Sequence, residues 1–130
     1  MDKGTIPWIS RHDMTHGQFE TLKIIGYSGF YKNDITFTSD PVDDLVKANI
    51  LDRTIALVAP SYVVLKLLNA DYRLIEFVNE SSKRAKGVFT CKGAYIHEME
   101  GCSIKSTYVE CPIPVEKQDE ASLAPPSRTK

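Results

Sequence analysis

Thr54-Ile55-Ala56-Leu57-Val58-Ala59 is an unbroken apolar run of strand length, ended by Pro60. A strand with one wet face alternates polar and apolar residues, whereas a strand covered on both faces reads as a continuous apolar run. The segment therefore predicts a central parallel strand with helices packed on both sides. Its surroundings follow the same logic. Downstream, Ser61 stands where it can cap a helix, Tyr62 to Leu68 make a short apolar helix, and Arg73 to Val78 supply another strand. Upstream, Asp40-Pro41 is a helix start, with a carboxylate at the N-cap and proline at N1. Val42, Leu45 and Val46 form the buried stripe of that helix.

Nearer the N-terminus, Tyr31 to Thr38 reads as a strand with Ile35 and Phe37 on one side, and Ile6 to Ile9 as the first strand. Between them Phe19, Leu22 and Ile25 share one helical face, and Gly26 offers a stop. The resulting β-α-β-α-β-α-β order predicts an α/β fold, a small Rossmann-like parallel sheet with helical crossovers. After Asn79 the pattern changes. Residues 79–87 are polar and basic and read as a loop, while 88–97 and 103–110 read as two strands about a turn near Gly101, an appended C-terminal antiparallel hairpin. From Cys111 onward prolines, charges and small residues dominate. The expected organisation is one domain over residues 1–111, with the hairpin at about 88–110, and a disordered tail over 112–130.

With 130 residues and 42% apolar content, the chain suits one domain with its own core. A net charge of −1 supplies no bulk attraction for long nucleic acid. No run approaches the ~18–20 apolar residues of a membrane span, and the N-terminus lacks the apolar stretch of a signal peptide. The expectation is a cytoplasmic protein with no membrane partner. Cys91, Cys102 and Cys111 are spaced unlike zinc ligands and read as free thiols filling small core positions in a reducing cytoplasm, with one disulfide as the alternative for an exported protein. No metal and no cofactor are expected.

The chemistry concentrates at Ser10-Arg11-His12, directly after the first strand. Thr15 and Gln18 have the spacing of a capping box, and Met14 and Phe19 that of a hydrophobic staple. A guanidinium and an imidazole are thus carried in a strand-to-helix turn beside a helix N-terminus, where open α/β sheets bind anions. Arginine can fork onto phosphate oxygens, and histidine can move a proton near neutral pH. Arg11 and His12 are the candidate catalytic pair. Ser10, Ser61 and the cations Lys83, Arg84 and Lys86 are candidate ligand contacts.

Each has a plainer alternative. Adjacent strand residues point to opposite sides, so Arg11 and His12 share a site only if the strand has ended before them. His12 can simply cap or pack with Arg11 pairing to Asp13, Ser61 can serve as an N-cap alone, and the Lys83–Lys86 stretch can be a solvated loop. His12 and His16 are four apart, but the helix start between them leaves His12 outside the helix and argues against a metal pair. His97-Glu98 reads as surface. The first turn also lacks the glycine fingerprint of a dinucleotide enzyme.

The order of apolar strand, Ser-Arg-His and helix, here Trp8-Ile9-Ser10-Arg11-His12, resembles a group of very short CRISPR-associated proteins of type III systems, relatives of the CRISPR-associated Rossmann-fold (CARF) domains. Thr54 to Pro60, the small helix after it and Asp71-Tyr72-Arg73-Leu74 are similar to a second stretch of that group. Lys83-Arg84-Ala85-Lys86-Gly87 matches loosely an arginine- and glycine-containing segment after the fourth strand. The resemblance spans roughly residues 1–87. The turn departs from it by continuing with Asp13-Met14-Thr15, where the group commonly shows proline and glycine.

What the resemblance implies is binding of a cyclic oligoadenylate messenger, with cleavage by metal-independent attack of a ribose 2′-hydroxyl, that is, a ring nuclease modulating antiviral signalling. A ring of four nucleotides has two-fold symmetry, so the expected assembly is a homodimer with its first-strand turns facing each other. Two other classes stay open. One is a non-catalytic sponge or sensor of the same ligand. The other is a phage or mobile-element inhibitor or adaptor, with Tyr95 and Tyr108 of the hairpin as protein anchors.

Overall fold

Ile6 and Trp8 lie on one face of the first strand and Ile9 on the other, and all three are 1% exposed. A strand buried on both faces requires a layer on each side of the sheet. The computed structural model, which describes residues 2–81 and 89–118, supplies both. Its elements run β1 (Thr5–Ile9), α1 (His16–Ile25), β2 (Gly29–Asn33), α2 (Pro41–Lys47), β3 (Thr54–Leu57), α3 (Ser61–Asn69), β4 (Arg73–Ser81), β5 (Phe89–Glu100), β6 (Ser103–Glu110) and α4 (Val115–Gln118).

The strands form one six-stranded sheet in the order β2-β1-β3-β4-β5-β6. The first four are parallel, and the β5–β6 hairpin continues the sheet antiparallel from β4. This is a small Rossmann-like sheet with a C-terminal hairpin. The chain steps from β1 outward to β2 and then back past β1 to β3, so right-handed crossovers put α1 and α2 on opposite faces. One core packs Leu22 of α1 against Trp8, Phe30, Ala56, Ile75, Phe77 and Ile96. The other packs Leu45 of α2 and Val63 and Leu67 of α3 against Ile9, Ile55, Leu57 and Leu74. β3 thus sends Ile55 and Leu57 one way and Ala56 the other, as its continuous apolar run requires.

Several boundaries differ from the sequence reading. β2 occupies Gly29–Asn33 rather than Tyr31 to Thr38, because it pairs with only the five residues of β1. Ile35 and Phe37 still pack against the second core, but from a loop. Tyr62 Oη donates to the Thr38 carbonyl (3.2 Å) and Lys66 Nζ to the Ser39 carbonyl (2.7 Å), which holds that loop against α3. β4 runs on through Asn79 to Ser81 because β5 gives its polar end a partner. Ser61 is not the N-cap of α3; Pro60 is, without a side-chain cap.

The tail boundary at 112 falls too early. Gln118 in α4 is 4% exposed, its Oε1 accepts from the Cys91 amide (2.7 Å), and its Nε2 donates to the Cys91 carbonyl (2.7 Å) and the Ile113 carbonyl (2.8 Å). One glutamine amide thereby stands in for a strand partner, a role no periodicity announces. Residues 119–130, the rest of the expected tail, lie outside the described residues. Of the three cysteines, Cys91 and Cys111 are buried as core groups, whereas Cys102 is exposed in the hairpin turn. Among the described residues no helix is long and apolar enough to cross a membrane.

Candidate functional site

β1 ends because Ser10 turns the chain. The Ser10 amide gives the last ladder bond, to the Asn33 carbonyl (3.1 Å), and Ser10 Oγ accepts from the His12 amide two residues on (3.0 Å). Two side chains then pin the turn. Trp8 Nε1 donates to the His12 carbonyl (2.9 Å), and Lys32 Nζ donates to the Arg11 carbonyl (3.0 Å) while pairing with Asp13 Oδ1 (2.9 Å). The backbone of Arg11 and His12 is therefore fixed from the core side by Trp8 and from the neighbouring strand by Lys32.

The side chains of Arg11 and His12 are exposed, and among the described residues neither has a hydrogen-bond or ion-pair partner. Two of the plainer alternatives fall away. The strand ends at Ile9, so strand alternation does not force the two groups apart, and Asp13 pairs with Lys32 rather than Arg11. Ser10 is 5% exposed with Oγ committed to the turn, so its work is to shape the site.

The capping box is present in full. Thr15 Oγ1 accepts from the Gln18 amide (3.2 Å) and Gln18 Oε1 from the Thr15 amide (2.9 Å). Of the orphan amides of α1, those of His16 and Gly17 remain outside the box. Gln18 Nε2 also donates to Asn79 Oδ1 (3.2 Å), which ties the first turn of α1 to the end of β4.

Ser10, Arg11 and His12 follow β1, and Ser61 opens α3 just after β3, its parallel neighbour. The Val58 amide donates to the Ile9 carbonyl (3.0 Å), joining the two exits. Because the chain leaves β1 and β3 toward opposite faces, their carboxyl ends border the crevice in which open α/β sheets hold ligands. The structure thus brings Ser10, Arg11, His12 and Ser61 to one edge of the sheet. Lys83, Arg84 and Lys86 lie outside the described residues, in the connection from β4 to β5. Among the described residues no group of His, Cys, Asp and Glu is arranged to hold a metal ion.

Two features escaped the sequence reading. Lys32 joins the site only through the β1–β2 register, in which it pairs with Trp8. The second is a cross-strand chain on the outer sheet. His97 Nε2 meets Glu76 Oε1 (3.0 Å), His97 Nδ1 meets Ser106 Oγ (2.6 Å), and the imidazole stacks on Tyr95, which in turn contacts Tyr108. Glu76, His97 and Ser106 have the order of a catalytic triad. Their neighbours on the face are tyrosine rings, and Tyr108 Oη already donates to the Lys92 carbonyl (2.9 Å). The chain's evident work is to tie β4, β5 and β6 together.

Burial pushes the Cys91 thiol up to about 11, which keeps it protonated at neutral pH and argues against a nucleophilic role. At the amino edge of the sheet, burial and a hydrogen bond to Asp52 raise Tyr31 as well. Neither group borders the crevice.

No protein-family model, curated protein or solved structure matches the chain.

Proposed function

We propose that the chain binds a phosphodiester-bearing messenger of the cyclic oligoadenylate class at the carboxyl edge of β1 and β3, and cleaves it without a metal. The observation that carries this reading is the Ser10–His12 turn, which leaves an arginine and a histidine side by side, exposed and unpartnered among the described residues, on a backbone held by Trp8, Lys32 and Ser10. Fixing the backbone lowers the entropy lost when the side chains close on a ligand.

In the proposed step the ribose 2′-oxygen attacks its own phosphorus. Its proton passes to His12, the bond to the 5′-oxygen breaks, and that oxygen takes a proton from water as the His12 imidazolium returns its own to solvent. Arg11 forks onto the non-bridging oxygens and offsets the charge that builds there. Ser61 and the cations Lys83, Arg84 and Lys86 add ligand contacts in this reading, and the function is modulation of type III antiviral signalling in the cytoplasm. The similarity of Trp8 to His12 to the ring-nuclease group supports the choice of ligand.

The test is incubation of radiolabelled cyclic tetra-adenylate with the protein in excess chelator. Linear products ending in a 2′,3′-cyclic phosphate are expected, slowed about a hundredfold by His12→Ala or Arg11→Ala. Retarded but intact ligand replaces the enzyme with a sponge or sensor. Absence of both binding and cleavage overturns the reading.

A further inference from the structure

β6 is the outer strand of the sheet, eight residues long, and all but Val109 are exposed. The Cys111 amide donates to the Lys92 carbonyl (3.0 Å), and hydrogen bonding alternates along an antiparallel pair. Residues 103, 105, 107 and 109 therefore aim their backbone polar groups at β5. Ile104, Ser106, Tyr108 and Glu110 aim theirs at the outer edge, which no other strand covers among the described residues. On the same face as Ser106 and Tyr108 lie His97 and Tyr95.

An unpaired edge of this kind is a template for another strand unless something blocks it. The usual blocks are proline, a bulge, a very short strand or edge charges; of these β6 carries only Lys105 and Glu110, of opposite sign. Ser103-Ile-Lys-Ser-Thr-Tyr-Val-Glu110 has no proline, its pairing with β5 is in continuous register, and it is longer than β2 at the opposite edge. Its side chains are also self-complementary. Ile104 is 47% and Tyr108 43% exposed, and the two project from the same face two positions either side of Ser106.

We propose that β6 is a homodimer interface, pairing antiparallel with β6 of a second copy about a two-fold axis at Ser106, so that the sheet runs on through both protomers. This register places Ile104 opposite the partner's Tyr108 twice, Lys105 opposite the partner's Thr107, and Ser103 opposite the partner's Val109. An axis at Thr107 instead sets Ile104 against the partner's Glu110 and Tyr108 against the partner's Ser106, and leaves both apolar groups facing polar ones. Apolar and aromatic pairs across strands are the stabilising kind. The axis at Ser106 is thus the favoured one. It lies four strands from β1, so each crevice stays open on its own protomer and the first-strand turns do not face each other. The interface stands independently of the ligand reading.

The test uses the full chain with Cys102→Ser, which removes the exposed thiol, and compares Ser106→Cys, Ile104→Cys and Tyr108→Cys under oxidised glutathione. Opposed residues at the axis sit ~5.5 Å apart, within disulfide reach, whereas residue 104 lies four positions, ~13 Å, from its own copy. Two thiols lose their protons and two electrons to the glutathione disulfide and join as one S–S bond. Cross-linked dimer is expected from Ser106→Cys at least tenfold faster than from the other two. Ser106→Pro removes the edge-facing N–H and also the Oγ contact to His97, so Ser106→Ala, which loses the hydroxyl alone, is measured beside it. Ser106→Pro is expected to give monomer and Ser106→Ala dimer by light scattering, both with an unchanged circular dichroism spectrum. Monomeric wild type at tens of micromolar, equal cross-linking at all three positions, or a dimer that survives Ser106→Pro overturns the proposal.

Discussion

β3 and β6 belong to one sheet and obey opposite rules. β3 is four residues long, parallel to both neighbours, with Ile55, Ala56 and Leu57 at 0–1% exposure. β6 is twice that length, antiparallel, and exposed almost throughout. β3 derives its stability from helices on both faces, whereas β6, outside the core that β5 still shares through Cys91, Ala94 and Ile96, derives its order from ladder bonds and cross-strand side chains. Burial therefore sets the tolerance of the first region, and register sets that of the second.

The sharpest way to break this contrast is a pair of truncations. Trp8→Ala removes a side chain 1% exposed, packed edge-on to Phe77 at 5.5 Å, and is expected to cost about 3–5 kcal/mol in urea unfolding. Tyr95→Ala, 40% exposed on the hairpin, is expected to stay within about 0.5–1 kcal/mol. Similar costs at the two sites would remove the distinction between the halves.

An alkaline titration comes next in size. The folded-state pKa of Cys91 lies at about 11, above the ordinary 9.0. The unfolded chain thus loses this proton first, so the stabilisation is complete below pH 9 and is lost as pH rises through about 11. Its order of magnitude is about 2–3 kcal/mol. Urea midpoints measured across that window should fall less steeply for Cys91→Val. Native protein should meanwhile expose one fast-reacting thiol, Cys102, to a disulfide reagent.

The smallest effect concerns the seam between the two halves. A methyl group on Gly17 would collide with Gln118 Oε1, the same oxygen that accepts from Cys91. Gly17→Ala and Gln118→Ala should each destabilise by about 1–3 kcal/mol, and together by clearly less than the sum. Additive costs would mean that α1 and α4 are independent.

The parallel half was readable because its signals are local. The apolar run at Thr54 to Ala59, the Thr15 and Gln18 capping box and the Asp40-Pro41 start each declare themselves within a few residues. The extent of β2 was not readable, since Ile35 and Phe37 alternate like a strand and pack like one while lying past the end of their partner. The Ser10–His12 turn could be located from sequence, but Lys32 could not, because its contact with Arg11 and Asp13 depends on strand register. Glu76, His97 and Ser106 were hidden for the same reason. They sit on three strands, and only the register of two ladders brings them together. Gln118 was hidden by its composition-poor surroundings, where a single amide replaces a hydrophobic pattern.

Trp8 is the only tryptophan in the chain. Its ring is sealed in the α1-side core, yet its indole N–H ends on the His12 carbonyl. The molecule thereby carries an intrinsic fluorophore with one end in the core and the other on the turn. Its emission reports both the unfolding of the parallel half and any rearrangement at Arg11 and His12, with no label attached.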